Sequence, residues 1–160
     1  MSLDEIDIKV MQVLMTQGRM TWSELASTLG LSAPATADRV RRLEERGVIQ
    51  GYAALIDAES VGCDLTAFIT VSLAHPDQRS DFLEKIQSLP EIQECHHVTG
   101  EDDYWMKVRC RNTKDLERLI SDELKGCLGY LKTRTTIALS TVKETVILPI
   151  EKGGARKEEA

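Results

Sequence analysis

Arg39, Arg41, Arg42 and Arg46 fall within eight residues of a segment patterned as a short helix. Each guanidinium is a planar fork of donors matched to phosphate oxygens and to the O6/N7 edge of guanine, so the cluster points to nucleic acid, not covalent chemistry. Arg41 is placed to address a guanine edge, with Arg39 and Arg42 reaching phosphates on its flanks. Ahead of them stand Ser32, Ala33, Pro34, Ala37 and Asp38. Small side chains at an exposed helix start let the backbone approach base edges, and Ala37 and Asp38 share the face of Arg41. The sequence offers no nucleophile paired with a base, no ligand set with metal spacing and no glycine-rich phosphate loop. His96 and His97 adjoin in a strand pattern and point to opposite faces, which excludes a one-sided metal pair.

The neighbouring residues supply a helix-turn-helix that holds this face outward. Asp4, with Asp7 three residues on, starts a first helix whose Ile6, Val10 and Leu14 repeat at helical spacing beside Leu3, Met11 and Val13. Asp7, Lys9 and Gln12 are left to water, and Gly18 ends the helix. Thr21 and Glu24 form the capping box of a second helix with Leu25 and Leu29 inward, and Gly30 stops it. Ser32 caps the third helix, where Pro34 is tolerated in the first turn because its missing donor would be unpaired there anyway. Thr36, Val40 and Leu43 make the inward stripe, and Gly47 closes the helix. Val48 to Ile56 is expected as a strand or extended linker, and residues 58–63 turn into a second domain.

With 160 residues and 42% apolar content, the chain can build one medium core or two small ones. A formal charge of -6 excludes a generally basic nucleic-acid coat. Residues 1–52 carry six Lys/Arg against seven Asp/Glu, and residues 53–160 fourteen against nineteen, so DNA binding depends on a local patch in the first part. Cys63, Cys95, Cys110 and Cys127 are widely spaced and fit reduced thiols better than a disulfide frame or zinc site. No run approaches the roughly 18 apolar residues of a membrane span. The residues after Met1 are Ser-Leu-Asp-Glu, unlike a basic secretion signal, and the cytoplasm is the expected location.

The second part alternates strand and helix patterns in the order βαββαβ. Leu65, Ala67, Ile69, Val71 and Leu73 share one strand face, and Phe82, Ile86 and Leu89 mark a helix. Ile92 to Thr99 and Tyr104 to Arg111 are strands around the turn Gly100-Glu-Asp-Asp103. Leu116, Leu119, Ile120 and Leu124 mark another helix before a strand from Lys132 to Val142. With both helices on one side of a four-stranded sheet, the other side carries Phe68, Cys95, Trp105 and Ala138 among polar residues. That face is too apolar to leave in water, and a partner sheet is its simplest cover. Pro149, Gly153 and Gly154 precede a tail expected to fray.

From Leu3-Asp4-x-x-Asp7, Gly18-Arg19, Glu24-Leu25-Ala26 and Gly30-Leu31-Ser32, the series runs on to Arg39-Val40-x-x-Leu43-Glu44-x-x-Gly47-Val48-Ile49-x-Gly51-Tyr52. It continues through Thr99-Gly100-x-x-Asp103-Tyr104 and Thr133-x-Thr135. This ordered set resembles the Lrp/AsnC family of regulators, also called feast/famine regulatory proteins, along nearly the whole chain. The resemblance implies an α+β protein: an N-terminal winged helix-turn-helix domain over 1–50, a linker with a strand over 51–63, and a βαββαβ ferredoxin-like effector-binding and oligomerisation domain over 64–150. Residues 151–160 remain as a flexible tail. It implies no cofactor, a small effector of the amino-acid class, promoter double-stranded DNA as partner, and homo-oligomers built from dimers up to an octamer. The effector cleft is implied to use Thr99, Gly100, Glu101, Asp102, Asp103 and Tyr104, with Thr135 and Ser140 on the last strand. Gly100 suits the turn, and Asp103 can accept from an ammonium group.

Two departures from the family pattern stand out. Asp102 occupies a position usually aromatic or otherwise apolar, so the acidic run is expected to alter effector choice or favour a basic side chain on the ligand. Thr36 replaces the commoner Val or Ile on the inward stripe. Two other readings stay open on sequence: a metabolite-sensing or assembly protein without direct DNA binding, and a small-metabolite enzyme, which the fold alone cannot establish.

Overall fold

The structure is a computed structural model describing residues 3–126 and 131–151. Cys127 and the segment 152–160, including the expected frayed tail, lie outside the described residues. The chain divides into two compact units, one formed by Met1–Leu55 with Lys143–Ala160 and the other by Ile56–Val142. The segment from residue 143, expected with the sheet, thus groups with the N-terminal helices. Within that unit Gln12 Nε2 donates to the Ile150 carbonyl at 2.9 Å.

The first unit holds α1 (Glu5–Thr16), α2 (Trp22–Leu29) and α3 (Ala33–Glu45). The expected caps form. Asp4 and Asp7 make a capping box on α1, Thr21 and Glu24 make one on α2, and Ser32 Oγ accepts from the Ala35 amide at the start of α3. Each satisfies amides that have no partner inside their own helix. Gly30 adopts φ +68° and ends α2 in the left-handed conformation that a Cβ would penalise. Val10, Leu14, Leu25, Val40 and Leu43 form the core. Two expectations for α1 are corrected: Asp7 is buried, not left to water, and Ile8 is buried where Ile6 is only half-buried. After Gly47 the Val48 and Ile49 amides close back on the Leu43 carbonyl and residues 50–57 enter no sheet, so the strand expected within 48–63 is absent and the regular element there is a 3-10 turn, Glu59–Val61.

In the second unit β1 (Leu65–Leu73), β2 (Ile92–His97), β3 (Tyr104–Cys110) and β4 (Leu131–Ile137) form an antiparallel sheet in the order β2-β3-β1-β4. α4 (Arg79–Ser88) and α5 (Thr113–Arg118) cross one face, and α5 continues as a π-helical stretch, Leu119–Gly126. Alternation places Ala67, Ile69, Val71, Tyr104, Met106 and Val108 on the helix side, against Phe82, Leu116, Leu119 and Leu124. The wider π turn suits the five-residue step between the buried Leu119 and Leu124, which an α-helix would splay apart.

The outer face differs from expectation at one residue. Cys95 lies opposite Met106 and packs on the helix side, while His96 lies opposite Trp105. A bulge between Ile92 and Glu94 adds one residue to β2 and flips every later side chain to the other face. Phe68 and Trp105 hold the outer face as expected, stacked with ring centroids 5.0 Å apart and planes at 22°. β4 ends at Ile137, short of Val142, leaving Leu139 fully exposed and Val142 98% exposed beyond it.

Candidate nucleic-acid interface and effector loop

α3 presents two different faces. Thr36, Val40 and Leu43 face the core, and Pro34, Arg41 and Arg42 are exposed beside the half-buried Ala33, Ala37 and Asp38. The smooth N-terminal half of this outer face follows directly from Ala33-Pro34-Ala35 and Ala37. Arg41 Nη2 is hydrogen-bonded to Asp38 Oδ1, Arg41 Nη1 lies 3.5 Å from Glu45 Oε1, and Arg42 Nε lies 3.3 Å from Asp38 Oδ2. The Arg41 and Arg42 guanidiniums hold the Asp38 carboxyl below the usual carboxylate range, chiefly through the bond from Arg41. On the flank, the Tyr52 phenol donates to Glu44 at 2.9 Å, tying the segment that follows α3 back onto it. Burial and then the Glu44 carboxylate push that phenol up to about 12.

Arg39 behaves otherwise than expected. Its Nη1 sits 2.6 Å from Asp4 Oδ2 and 2.6 Å from Asp7 Oδ1, and its side chain is 19% exposed. The guanidinium is therefore spent inside the unit, fastening α3 to the start of α1, and is withdrawn from the phosphate contact expected of it. No spacing rule could signal this, because the partners lie 35 and 32 residues away.

The turn after β2 is tied to the end of β1. The Asp103 amide donates to the Val71 carbonyl at 2.9 Å, Asp103 Oδ2 accepts from the Leu73 amide at 2.7 Å, and the Val98 amide donates to the Asp103 carbonyl at 3.0 Å. Gly100 takes φ +128°, a conformation that the turn requires and side chains resist. Asp102 Oδ1 accepts from Ser72 Oγ at 2.8 Å, and Arg134 approaches its other oxygen at 3.9 Å. The Ser72 hydroxyl is the leading cause that lowers the Asp102 carboxyl, with Arg134 adding to it. The charge of Asp102 is answered within the chain, so the expected preference for a basic ligand side chain finds no support in this geometry.

Thr99, Gly100 and Glu101 are exposed, whereas Tyr104 is buried with its ring 4.7 Å from Phe82 and 5.2 Å from His97. A recess of 220 Å³ opens beside Asp103 and Tyr104, walled by Leu73, Pro76, Arg79 and His97. Thr135 lies on β4 opposite Ile69 and is exposed; Ser140 is not on that strand but three residues past its end. The structure thus gathers Asp102, Asp103 and Tyr104 at one end of the two central strands, and leaves Ser140 outside the expected strand. Ser72, Arg134 and Arg79 join them without having been picked out, as does His97, weighed only as a metal ligand, because strand register decides which residues meet. A larger recess of 580 Å³ lies at the other end of β3, near Val61, Cys63, Glu91, Cys110 and Arg118, and includes none of the loop residues. Burial, assisted by Glu91, pushes the Cys110 thiol up to about 11, so it is an inert thiol at neutral pH.

A helix-turn-helix with a clean outer face and a separate sheet unit with a tied glycine loop match known proteins in the same order. Residues 3–50 match the winged helix-turn-helix DNA-binding model, and residues 66–148 match the Lrp/AsnC ligand binding domain. The chain belongs to the Lrp/AsnC family. The HTH-type transcriptional regulator LrpA of Mycobacterium tuberculosis is 40% identical over 140 residues, covering 88% of this chain and 92% of the relative. The leucine-responsive regulatory protein of Haemophilus influenzae is 36% identical over 152 residues, covering 94% and 92%. Among solved structures, the transcriptional regulator NMB0573 of Neisseria meningitidis in complex with L-methionine superposes with a TM-score of 0.87 at 35% identity, covering 92% of this chain and 96% of that one. These Lrp/AsnC relatives are transcription regulators and not enzymes. Among the described residues, no helix is long and apolar enough to cross a membrane.

Proposed function

We propose that this chain regulates transcription by binding promoter DNA through α3, with its assembly adjusted by an amino acid held near residues 99–104. Two copies, paired through the outer faces of their sheets, would set two α3 helices against half-sites in successive major grooves. The sheet face around Phe68 and Trp105 supports that pairing, because a half-buried aromatic stack gains by being covered completely. Dimers would assemble further, up to an octamer, in the cytoplasm. The reading divides the chain into a DNA-binding domain over 1–50, a linker over 51–63, an effector and oligomerisation domain over 64–150, and a tail.

For the effector, a neutral side chain is favoured: the Haemophilus relative is named for leucine and the Neisseria relative binds L-methionine. Asp102 is already paired with Ser72 and near Arg134, which leaves the second oxygen of Asp103 as the better acceptor for an ammonium group. Ser32, Ala33, Pro34, Ala37, Asp38, Arg41 and Arg42 are the proposed DNA face. The observation that carries the reading is the solvent-facing side of α3, small in its first turns and arginine-bearing beyond them. Enrichment of duplexes from a random pool by the full chain, with and without L-methionine or L-leucine, tests it. A consensus with two half-sites about one helical turn apart, and a ligand-dependent change in retention, is expected. No enrichment at moderate salt would defeat the proposal.

A further inference from the structure

α3 carries Arg39, Arg41 and Arg42 against Asp38, Glu44 and Glu45, and so brings no net charge of its own to a phosphate backbone. Two of these charges are used elsewhere: Arg39 is fastened to α1, and Glu44 accepts from Tyr52. The remaining four form one network around Asp38, whose two oxygens take Arg41 and Arg42 while Glu45 approaches Arg41 from the following turn. Pairs this exposed add little to folding. Their consequence is orientation. Arg41 is 63% exposed on its side chain, and its fork is held from the Asp38 side, on the face that carries Ala37.

A carboxylate on a base-reading surface repels phosphates in every duplex alike. That penalty is offset only where the sequence gives something back. A guanine edge does so by accepting the fork that Asp38 has already aimed, and a cytosine amino group does so by donating to Asp38 itself. We infer that Asp38 is a specificity-determining residue: it holds Arg41 for a guanine edge and lowers affinity for duplexes that present none. The inference rests on α3 being the base-reading helix.

The test uses the full chain and the duplex it enriches from a random pool, beside a scrambled duplex of equal composition. Asp38→Asn keeps the shape of the residue, removes the charge and sits at the surface, so folding is preserved. Asp38→Asn and Asp38→Ala are expected to bind the scrambled duplex roughly 3–10-fold tighter at low salt, because a repulsive charge is gone. The ratio of enriched to scrambled affinity is expected to fall about tenfold, the scale of one oriented base contact. In an Arg41→Ala background the same Asp38 substitution should leave the ratio unchanged, since the fork it aims is missing. A ratio that holds or rises in the single variants overturns the role of Asp38 alone, as does an undiminished effect without Arg41. A parent chain that enriches nothing overturns the reading of α3 and this inference with it.

Discussion

The Asp4–Arg39–Asp7 clamp gives the most direct test of how α3 is held. Arg39→Met keeps most of the aliphatic stem and removes the guanidinium that sits 2.6 Å from each of two carboxylates. Asp7, whose side chain is 11% exposed, would keep the Asp4 amide, at 3.0 Å, as its one partner among the described residues. An exposed ion pair contributes at most about 1 kcal/mol. Breaking a fully buried one costs about 3–5 kcal/mol, because an uncompensated charge stays inside. The clamp lies between, with Asp7 and Arg39 largely covered and Asp4 half-exposed, so about 2–3 kcal/mol is expected, measured as the shift of the helical-unit transition in urea at neutral pH. Replacing both members, Arg39→Met with Asp7→Leu, should recover part of that loss, since no charge is then stranded.

A pH series gives the sign. The Asp7 amide and then Arg39 hold the Asp4 carboxyl below its ordinary value. Its contribution is therefore complete above the unfolded value near 4 and is lost as pH falls through the lower folded value. Arg39→Met should flatten that acid limb. DNA binding supplies an independent reading: a clamp variant weakens binding with an unchanged slope of log K against log salt, whereas loss of a phosphate contact lowers the slope by about one unit. A stability loss below about 1 kcal/mol, or strict additivity with Asp7→Leu, would refute the clamp.

Thr36→Val should raise stability by about 1 kcal/mol in the same melts, because the fully buried Thr36 hydroxyl finds no hydrogen-bond partner among the described residues and Val fills its volume. A loss would show that the hydroxyl is satisfied. Arg41→Ala should lower affinity for the enriched duplex by roughly 5- to 150-fold while changing scrambled-duplex binding far less, read by fluorescence anisotropy; equal losses on both would remove Arg41 from base reading. Asp103→Ala should weaken L-methionine or L-leucine titrations and leave the dimer intact by sedimentation; an unchanged titration would assign Asp103 only to the Leu73 amide that it already accepts from.

The helical unit was largely legible because its signals are local. Asp4, Thr21 and Ser32 each cap a helix a few residues from the groups they serve, and Thr36, Val40 and Leu43 share a stripe through a single period. The sheet was legible in order but not in detail. One bulged residue in β2 moved Cys95 to the core side, and no pattern of apolar residues announces where such a residue is inserted. Beyond Ile137 the apolar pattern of the sequence continues, but the ladder stops one hydrogen bond later, where the Ala138 amide donates to the Thr66 carbonyl at 2.9 Å, so pattern alone overran the strand to Val142.

The site residues divide along the same line. Asp38 with Arg41 and Arg42 is an i to i+3 and i+4 arrangement, open to anyone who lays the segment on a helix. Arg39 lies on the same helix and has the same chemistry, yet its function is set by Asp4 and Asp7 on a different helix. A guanidinium has no preference between a phosphate and a carboxylate that tertiary structure brings to 2.6 Å. Spacing can therefore nominate a basic face, but only the pairing of each cation decides which members of it are free to meet DNA. On α3 that pairing separates Arg39, which positions the helix, from Arg41 and Arg42, whose side chains stay 63% and 51% exposed and can meet bases and phosphates while Asp38 orients them.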